Sequence, residues 1–213
     1  KLETVEIPNN VTEIGPKAFR ECEELKSITF PEGLKSIGYG AFSECKKLSA
    51  IKFPKGLESI GDNAFYGCTS LKNVTISNSV IIIGANAFDS CISLTSITIP
   101  NSVTDINQHA FNGCTLLKHV VISDSVTRIS DGTFYLCTSL TTVTIPDGVT
   151  TIGNYAFSRC TSLKSVTIPD SVTYIYDSAF KYCTSLTIAT NNPYVIEYCK
   201  DKNIPVKSLK ESL

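Results

Sequence analysis

With 213 residues and a formal net charge of −1, the chain could fill one or two ordinary domains and has no charge imbalance to draw nucleic acid or an anionic membrane. Pro, Gly or charge interrupts every apolar run short of the ~18 residues a spanning helix needs, so direct membrane insertion is not expected. Charge is concentrated in residues 1–72, which hold ten Lys/Arg and ten Asp/Glu, while the rest of the chain relies on Ser, Thr and Asn.

In chain order the first element is a strand read as beginning in mid-unit, because Leu2, Val5 and Ile7 align with Leu25, Ile28 and Phe30. No signal peptide opens the chain, and the absence of Met points to a mature or excised fragment. Pro8 then ends the strand, where a missing N–H stops the ladder. A second short extended piece leads to Gly15, read as a tight corner needing φ > 0. Pro16 fits the first position of one helical turn through Ala18 and Phe19 to Cys22. Then Leu25 starts the next strand, and the order repeats.

The repeat is strict. Phe stands at 19, 42, 65, 88, 111, 134, 157 and 180, and Cys at 22, 45, 68, 91, 114, 137, 160 and 183, always 23 apart. Leu and Ile keep the same step from 25 to 186 and from 14 to 175. In "LKNVTI" (71–76) apolar and polar residues alternate, with Val74 and Ile76 inward and Asn73 and Thr75 outward. In "SVTDI" (102–106) Val103 and Ile106 point inward. Gly38, Gly61, Gly84 and Gly153 repeat the expected corner, and Asp62 and Asp131 suit the start of its helical turn. Ser77 and Ser123 replace the Pro, Asn107, Ser130 and Tyr176 the Gly, and Thr133 the Ala, loosening corners without changing register. A unit this small cannot bury its own apolar face, but stacked copies can. The reading is an α/β repeat solenoid of eight 23-residue coils, with a parallel sheet, second short strands and one-turn helices, a rod of roughly 40 Å at ~4.8 Å per coil.

The unit "LTSITIPNSVTDINQHAFNGC" (94–114) resembles the BspA-type leucine-rich repeat family of bacterial and some protozoan surface proteins, following its LxxIxIPxxVxxIxxxAFxxC pattern almost position for position. The resemblance covers residues 1–188 and implies a right-handed solenoid displayed at a cell surface or secreted. It also implies binding to host extracellular matrix or to other cells. After Leu186 the phase fails. "NNPYVIEYCKDKNIPVKSL" (191–209) is similar to the family's C-terminal cap, so residues 189–213 are expected to close the last coil through Tyr194, Val195, Tyr198 and Cys199. Nothing comparable precedes Lys1, which suggests that further repeats or another domain once lay ahead of it.

Little in the chain points to chemistry. Stacked Cys side chains point the same way with Cβ atoms about a coil apart, slightly beyond disulfide reach, and no Cys-x-x-Cys pair offers a zinc site. A buried column of free thiols is the expectation, with oxidation at Cys199 or an end of the column as the alternative. His109 lies beside the buried Ala110–Phe111 pair, and His119 projects from a strand; neither has a partner oriented for nucleophilic catalysis. No phosphate loop, cofactor site or metal site is expected, and the chain is read as non-enzymatic. Asn10 and Asn73 each begin an Asn-Val-Thr glycosylation sequon.

What remains is surface. Outward strand residues form two columns, and Lys26, Lys72, Lys118 and Lys164 recur in every second coil. The candidate ligand face comprises these lysines with Thr29, Lys52, Asn73, Thr75, Ser96, Thr98, His119, Thr142, Thr144 and Thr167, and would dock a protein ligand to a monomer. An exposed parallel sheet also favours Ser and Thr on structural grounds alone. Six of nine Tyr fall between 155 and 198, mainly as cap packing, and Ile81 and Ile82 form an apolar spot. The rival readings are a carbohydrate- or ordered-water-binding Thr ladder and a passive spacer.

Overall fold

A computed structural model describes residues 2–209. In chain order its strands are β1 (Thr4–Glu6), β2 (Glu13–Ile14), β3 (Ser27–Thr29), β4 (Ser36–Ile37), β5 (Ala50–Lys52) and β6 (Ser59–Ile60). They continue as β7 (Asn73–Thr75), β8 (Ile82–Ile83), β9 (Ser96–Thr98), β10 (Asp105–Ile106), β11 (His119–Val121) and β12 (Arg128–Ile129). The series ends with β13 (Thr142–Thr144), β14 (Thr151–Ile152), β15 (Ser165–Thr167), β16 (Tyr174–Ile175), β17 (Thr187–Ala189), helix α1 (Pro193–Asp201) and β18 (Val206–Lys207). All pairing is parallel, and repeat partners lie one unit apart, as in Val5 opposite Ile28 and Ile37 opposite Ile60. The chain is therefore a parallel β-solenoid of about eight turns, with three-residue strands along one side and two-residue strands along another.

Its interior is one continuous column. Phe rings stack from Phe19 to Phe180 at centroid distances between 5.2 and 5.7 Å, and Phe65 lies 5.4 Å from Phe88. The columns of Leu, Ile, Ala and Cys around them are buried in the inner coils. Each thiol has a hydrogen-bonding task as well: Cys68 Sγ donates to the Phe42 carbonyl at 3.2 Å, and every column Cys from Cys45 to Cys183 repeats the contact one coil later. Cys is the residue that is small, apolar and still a weak donor. Desolvation accordingly pushes the Cys45 thiol up to about 12 and Cys68, Cys91, Cys137 and Cys160 well above the ordinary thiol value.

The expected one-turn helices are absent; each "xAFxxC" segment is a run of turns. In the second coil, alternate amides stay local: Ala41, Ser43 and Cys45 donate to Gly38, Gly40 and Phe42 at 3.1–3.2 Å. The amides between them leave the coil, so that Gly40, Phe42 and Glu44 donate to the carbonyls of Asp62, Ala64 and Tyr66 at 2.7–2.8 Å. Beyond its first four, an α-helix returns its N–H groups to its own carbonyls. Here half of them build a third ladder between coils. That ladder needs left-handed backbone at two positions per coil, seen at Asn63 (φ 57°) and Gly67 (φ 68°) and repeated along the rod.

Two further expectations are corrected. Gly38, Gly61 and Gly84 do not have positive φ; they are glycine because adjacent coils touch there, and a Cβ on Gly61 would lie 2.7 Å from the Ile37 carbonyl oxygen. Asp62 and Asp131 do not cap their own turns. Each carboxylate accepts from the next coil, from Ala85 N–H at 2.7 Å and from Asn154 N–H at 3.0 Å.

At the C-terminal end β18 adds to β17, and α1 covers the end of the core with Val195, Tyr198 and Cys199. Asn192 attaches the helix. Its side-chain oxygen accepts from Tyr194 and Val195 N–H, and its amide nitrogen donates to the carbonyls of Pro169, Asp170 and Val172. Residues 210–213 of the expected cap lie outside the described residues.

Candidate recognition face

Strand alternation places the sheet-face residues. In β7 only Val74 is buried, leaving Asn73 and Thr75 in solvent, and β9 and β13 repeat this with Ser96, Thr98, Thr142 and Thr144 outward. Register then sets these residues in rows: Ser96 faces His119, Thr98 faces Val121, Lys52 faces Thr75, and Thr144 faces Thr167. Thr29, Lys52 and His119 are exposed, while Thr167 is half-buried. Val121 interrupts the second row with the most exposed large apolar side chain described, at 59%.

The lysines follow a feature of the backbone that the sequence reading missed. The first-sheet strands pair in twos, β1 with β3, β5 with β7 and β9 with β11, before β13, β15, β17 and β18 run on together. Lys26, Lys72 and Lys118 each stand just ahead of the second strand of a pair, and Lys164 just ahead of β15, the second strand of the four-stranded run. Their amides make short rungs to the preceding coil, 2.8 Å for Lys26 to Glu3 and 2.9 Å for Lys118 to Thr95. The rungs that the Lys26 and Lys118 carbonyls accept from the following coil are stretched, 3.4 Å from Ser49 and 3.5 Å from Thr141, whereas the Lys164 carbonyl, inside the continuous sheet, accepts from Thr187 at 2.9 Å. All four side chains are exposed, and Lys26 is ion-paired with Glu3 at 2.7 Å.

Other candidates are dispersed. His109 sits on the turn at φ 58°, its Nδ1 buried without a hydrogen-bond partner among the described residues beside Gly132, whereas His119 stands on β11. The Tyr set divides. Tyr198 is buried in the cap, and the Tyr194 hydroxyl accepts the Ile175 N–H at 2.9 Å, tying α1 to the second sheet. Tyr155, Tyr174, Tyr176 and Tyr182 project outward instead, Tyr174 and Tyr176 meeting edge to face at 4.9 Å. Ile81 and Ile82 are exposed, Ile82 on β8 and thus away from the candidate face.

Known proteins agree with this architecture. A model of the BspA type leucine rich repeat region matches residues 1–118 and 104–203, counting six copies. A leucine-rich repeat protein from T. pallidum is 32% identical, with a TM-score of 0.71 over 76% of this chain and 78% of its own. Another, from Bacteroides ovatus, is 25% identical with a TM-score of 0.70, covering 97% of this chain and 69% of its own. A third, from Eubacterium ventriosum, at 22% identity and a TM-score of 0.60 over 90% of this chain and 60% of its own, shares the fold. No curated protein matches. On its repeat pattern, its solenoid and these matches together, the chain belongs to the BspA-type leucine-rich repeat family.

Proposed function

We propose that this right-handed solenoid is a non-enzymatic recognition module, displayed at a cell surface or secreted, that binds a protein ligand through the polar face of its first sheet. One observation carries the reading. Parallel register lines up exposed Ser, Thr, Asn, His and Lys into rows about 4.8 Å apart, so a flat partner can make many modest contacts at once. The family favours a location outside the cell and a role in adhesion, and the lysines add charge that can steer encounter with an acidic partner.

The test is binding of the full chain to immobilised extracellular-matrix proteins and to intact cells. A quadruple Lys26→Glu, Lys72→Glu, Lys118→Glu, Lys164→Glu variant should lose binding while its circular dichroism stays unchanged. Undiminished binding by that variant refutes the role of this face. Binding only to a glycan array moves the function to the Thr rows, and no binding at all leaves a spacer.

A further inference from the structure

Among the described residues, the third ladder of the solenoid ends without a lid. In the inner coils the Phe amide and the amide just before Cys both donate to the next coil: Phe134 to Ala156 at 2.8 Å, Leu136 to Ser158 at 3.0 Å, Phe157 to Ala179 and Arg159 to Lys181 at 2.8 Å. Their equivalents in the last coil are Phe180 and Tyr182. The cap completes the first sheet with β18 and reaches the second with the Tyr194 hydroxyl, but it brings no acceptor to this turn. Among the described residues, neither amide has a hydrogen-bond partner. The acceptor side is short as well. Each Phe carbonyl from Phe19 to Phe157 receives a thiol from the next coil, whereas among the described residues the Phe180 carbonyl receives only the Cys183 N–H at 3.1 Å.

A cleft of about 520 Å³ opens between this turn and the cap, bordered by Phe180, Tyr182, Cys183, Tyr198, Lys202 and Ile204. That is within the ~300–1,000 Å³ of ordinary ligand clefts. Its rim is cationic. Lys181 and Lys202 line it with one carboxylate, Asp177, which Lys202 pairs at 3.0 Å; Arg159, from the preceding coil, adds a further cation 4.9 Å from the centre of the Tyr182 ring, beside Lys181 at 5.2 Å. Tyr182 has the left-handed φ of 66° found in the inner rungs, so the last rung is built for a partner like theirs.

We propose that this cleft binds an acidic peptide segment that continues the turn ladder for one more step. Two main-chain carbonyls of the peptide, two residues apart, accept from Phe180 N–H and Tyr182 N–H. One of its amides donates to the Phe180 carbonyl, and its carboxylates meet Arg159 and Lys181. A small anion could answer the charge, but not a donor pair spaced for alternate residues beside an underused carbonyl. The site lies on the turn side, apart from the first sheet, so it stands or falls independently of the recognition face.

The experiment uses the nitrogen-15-labelled full chain with acetyl-Glu-Ala-Glu-Ala-Glu-Ala-amide, its Lys-for-Glu counterpart, and sodium acetate at matched carboxylate concentration. The acidic peptide should shift the Phe180 and Tyr182 amide resonances and slow their hydrogen exchange about tenfold. The exposed double variant Arg159→Glu, Lys181→Glu should retain its circular dichroism and bind that peptide about tenfold more weakly. Equal shifts with acetate alone, equal binding of the lysine peptide, undiminished binding by the double variant, or two unmoved amides would each overturn the proposal.

Discussion

Adjacent coils are tied at the surface by charge near the N-terminus and by hydroxyls toward the C-terminus. Lys26, Lys35, Lys46 and Lys47 reach across one coil to Glu3, Glu58, Glu23 and Glu24 at 2.7–2.9 Å. In the later coils Thr138, Thr150 and Thr173 send their hydroxyls across the same step to the carbonyls of Thr115, Thr127 and Thr150, each at 3.3 Å. Beneath both regions the Phe stack, the thiol-to-carbonyl contacts and the exported turn amides are the same. Exposed ion pairs contribute ~0–1 kcal/mol each, and long hydroxyl contacts no more, against ~3–5 kcal/mol for a buried Phe. Register is therefore set from inside, and the outer ties can change from one chemistry to the other without altering the rod.

The strongest test of a shared interior is alkali. Burial holds the Cys45 thiol near 12 against an ordinary 9.0, and its column neighbours are raised in the same direction. Between those values the folded thiol keeps its proton while the unfolded one releases it, so unfolding is favoured as pH rises. The stability is fully present below about pH 9 and is lost toward pH 12, by about 1.4 kcal/mol per pH unit for each thiol ionised only in the unfolded chain. Guanidinium midpoints followed by circular dichroism should fall steeply above pH 9, with early and late coils failing together. Midpoints that stay level to pH 11, or loss of one region alone, would break the common-core picture.

Next in size is a matched pair of truncations. Phe42→Ala and Phe134→Ala remove fully buried rings from a charge-tied and a hydroxyl-tied coil, with stacking neighbours on both sides in each case. Each should cost about 3–5 kcal/mol, and the two values should agree within about 1 kcal/mol. A much smaller loss at either site, measured by urea unfolding, would show that the outer ties share in holding that coil.

The interior was legible in the sequence because side chains spaced by one repeat stack, and counting is enough to find them. Alternation did the same for the outward residues of the candidate face. The turn was not legible, because helix against exported ladder is decided by carbonyls one coil away, and no single unit contains both partners. A trace of it was present: Gly40, Asn63, Asn86 and Gly132 precede Ala-Phe or its equivalent, and Gly67 and Gly113 precede Cys, all types that tolerate positive φ. The more regular Gly38 column drew attention away, although its glycines answer close backbone contact instead. The link between the lysines and paired strands was hidden for a similar reason, since rung lengths of 2.8 and 3.4 Å depend on how neighbouring coils settle. Asn192 was recognisable as a residue ahead of Pro, but its bonds to three carbonyls of the last coil follow only from the folded chain.

The smallest expected effect separates the two regions most directly. At about 1 M salt the screening length falls to ~3 Å, so the cross-coil ion pairs should lose most of their attraction while hydroxyl-to-carbonyl contacts are unaffected. Native-state hydrogen exchange can follow this coil by coil through the Leu amides, which each donate to the preceding Cys carbonyl, Leu25 and Leu48 early, Leu140 and Leu163 late. Raising the salt should lower protection at Leu25 and Leu48 by up to about fivefold, equivalent to ~1 kcal/mol, and leave Leu140 and Leu163 unchanged. A Glu23→Gln, Glu24→Gln variant, lacking the partners of Lys46 and Lys47, should show little of that response. Equal salt sensitivity at both ends would mean that the acid–base pairs are surface decoration, and that the early coils stand on their interior as fully as the late ones do.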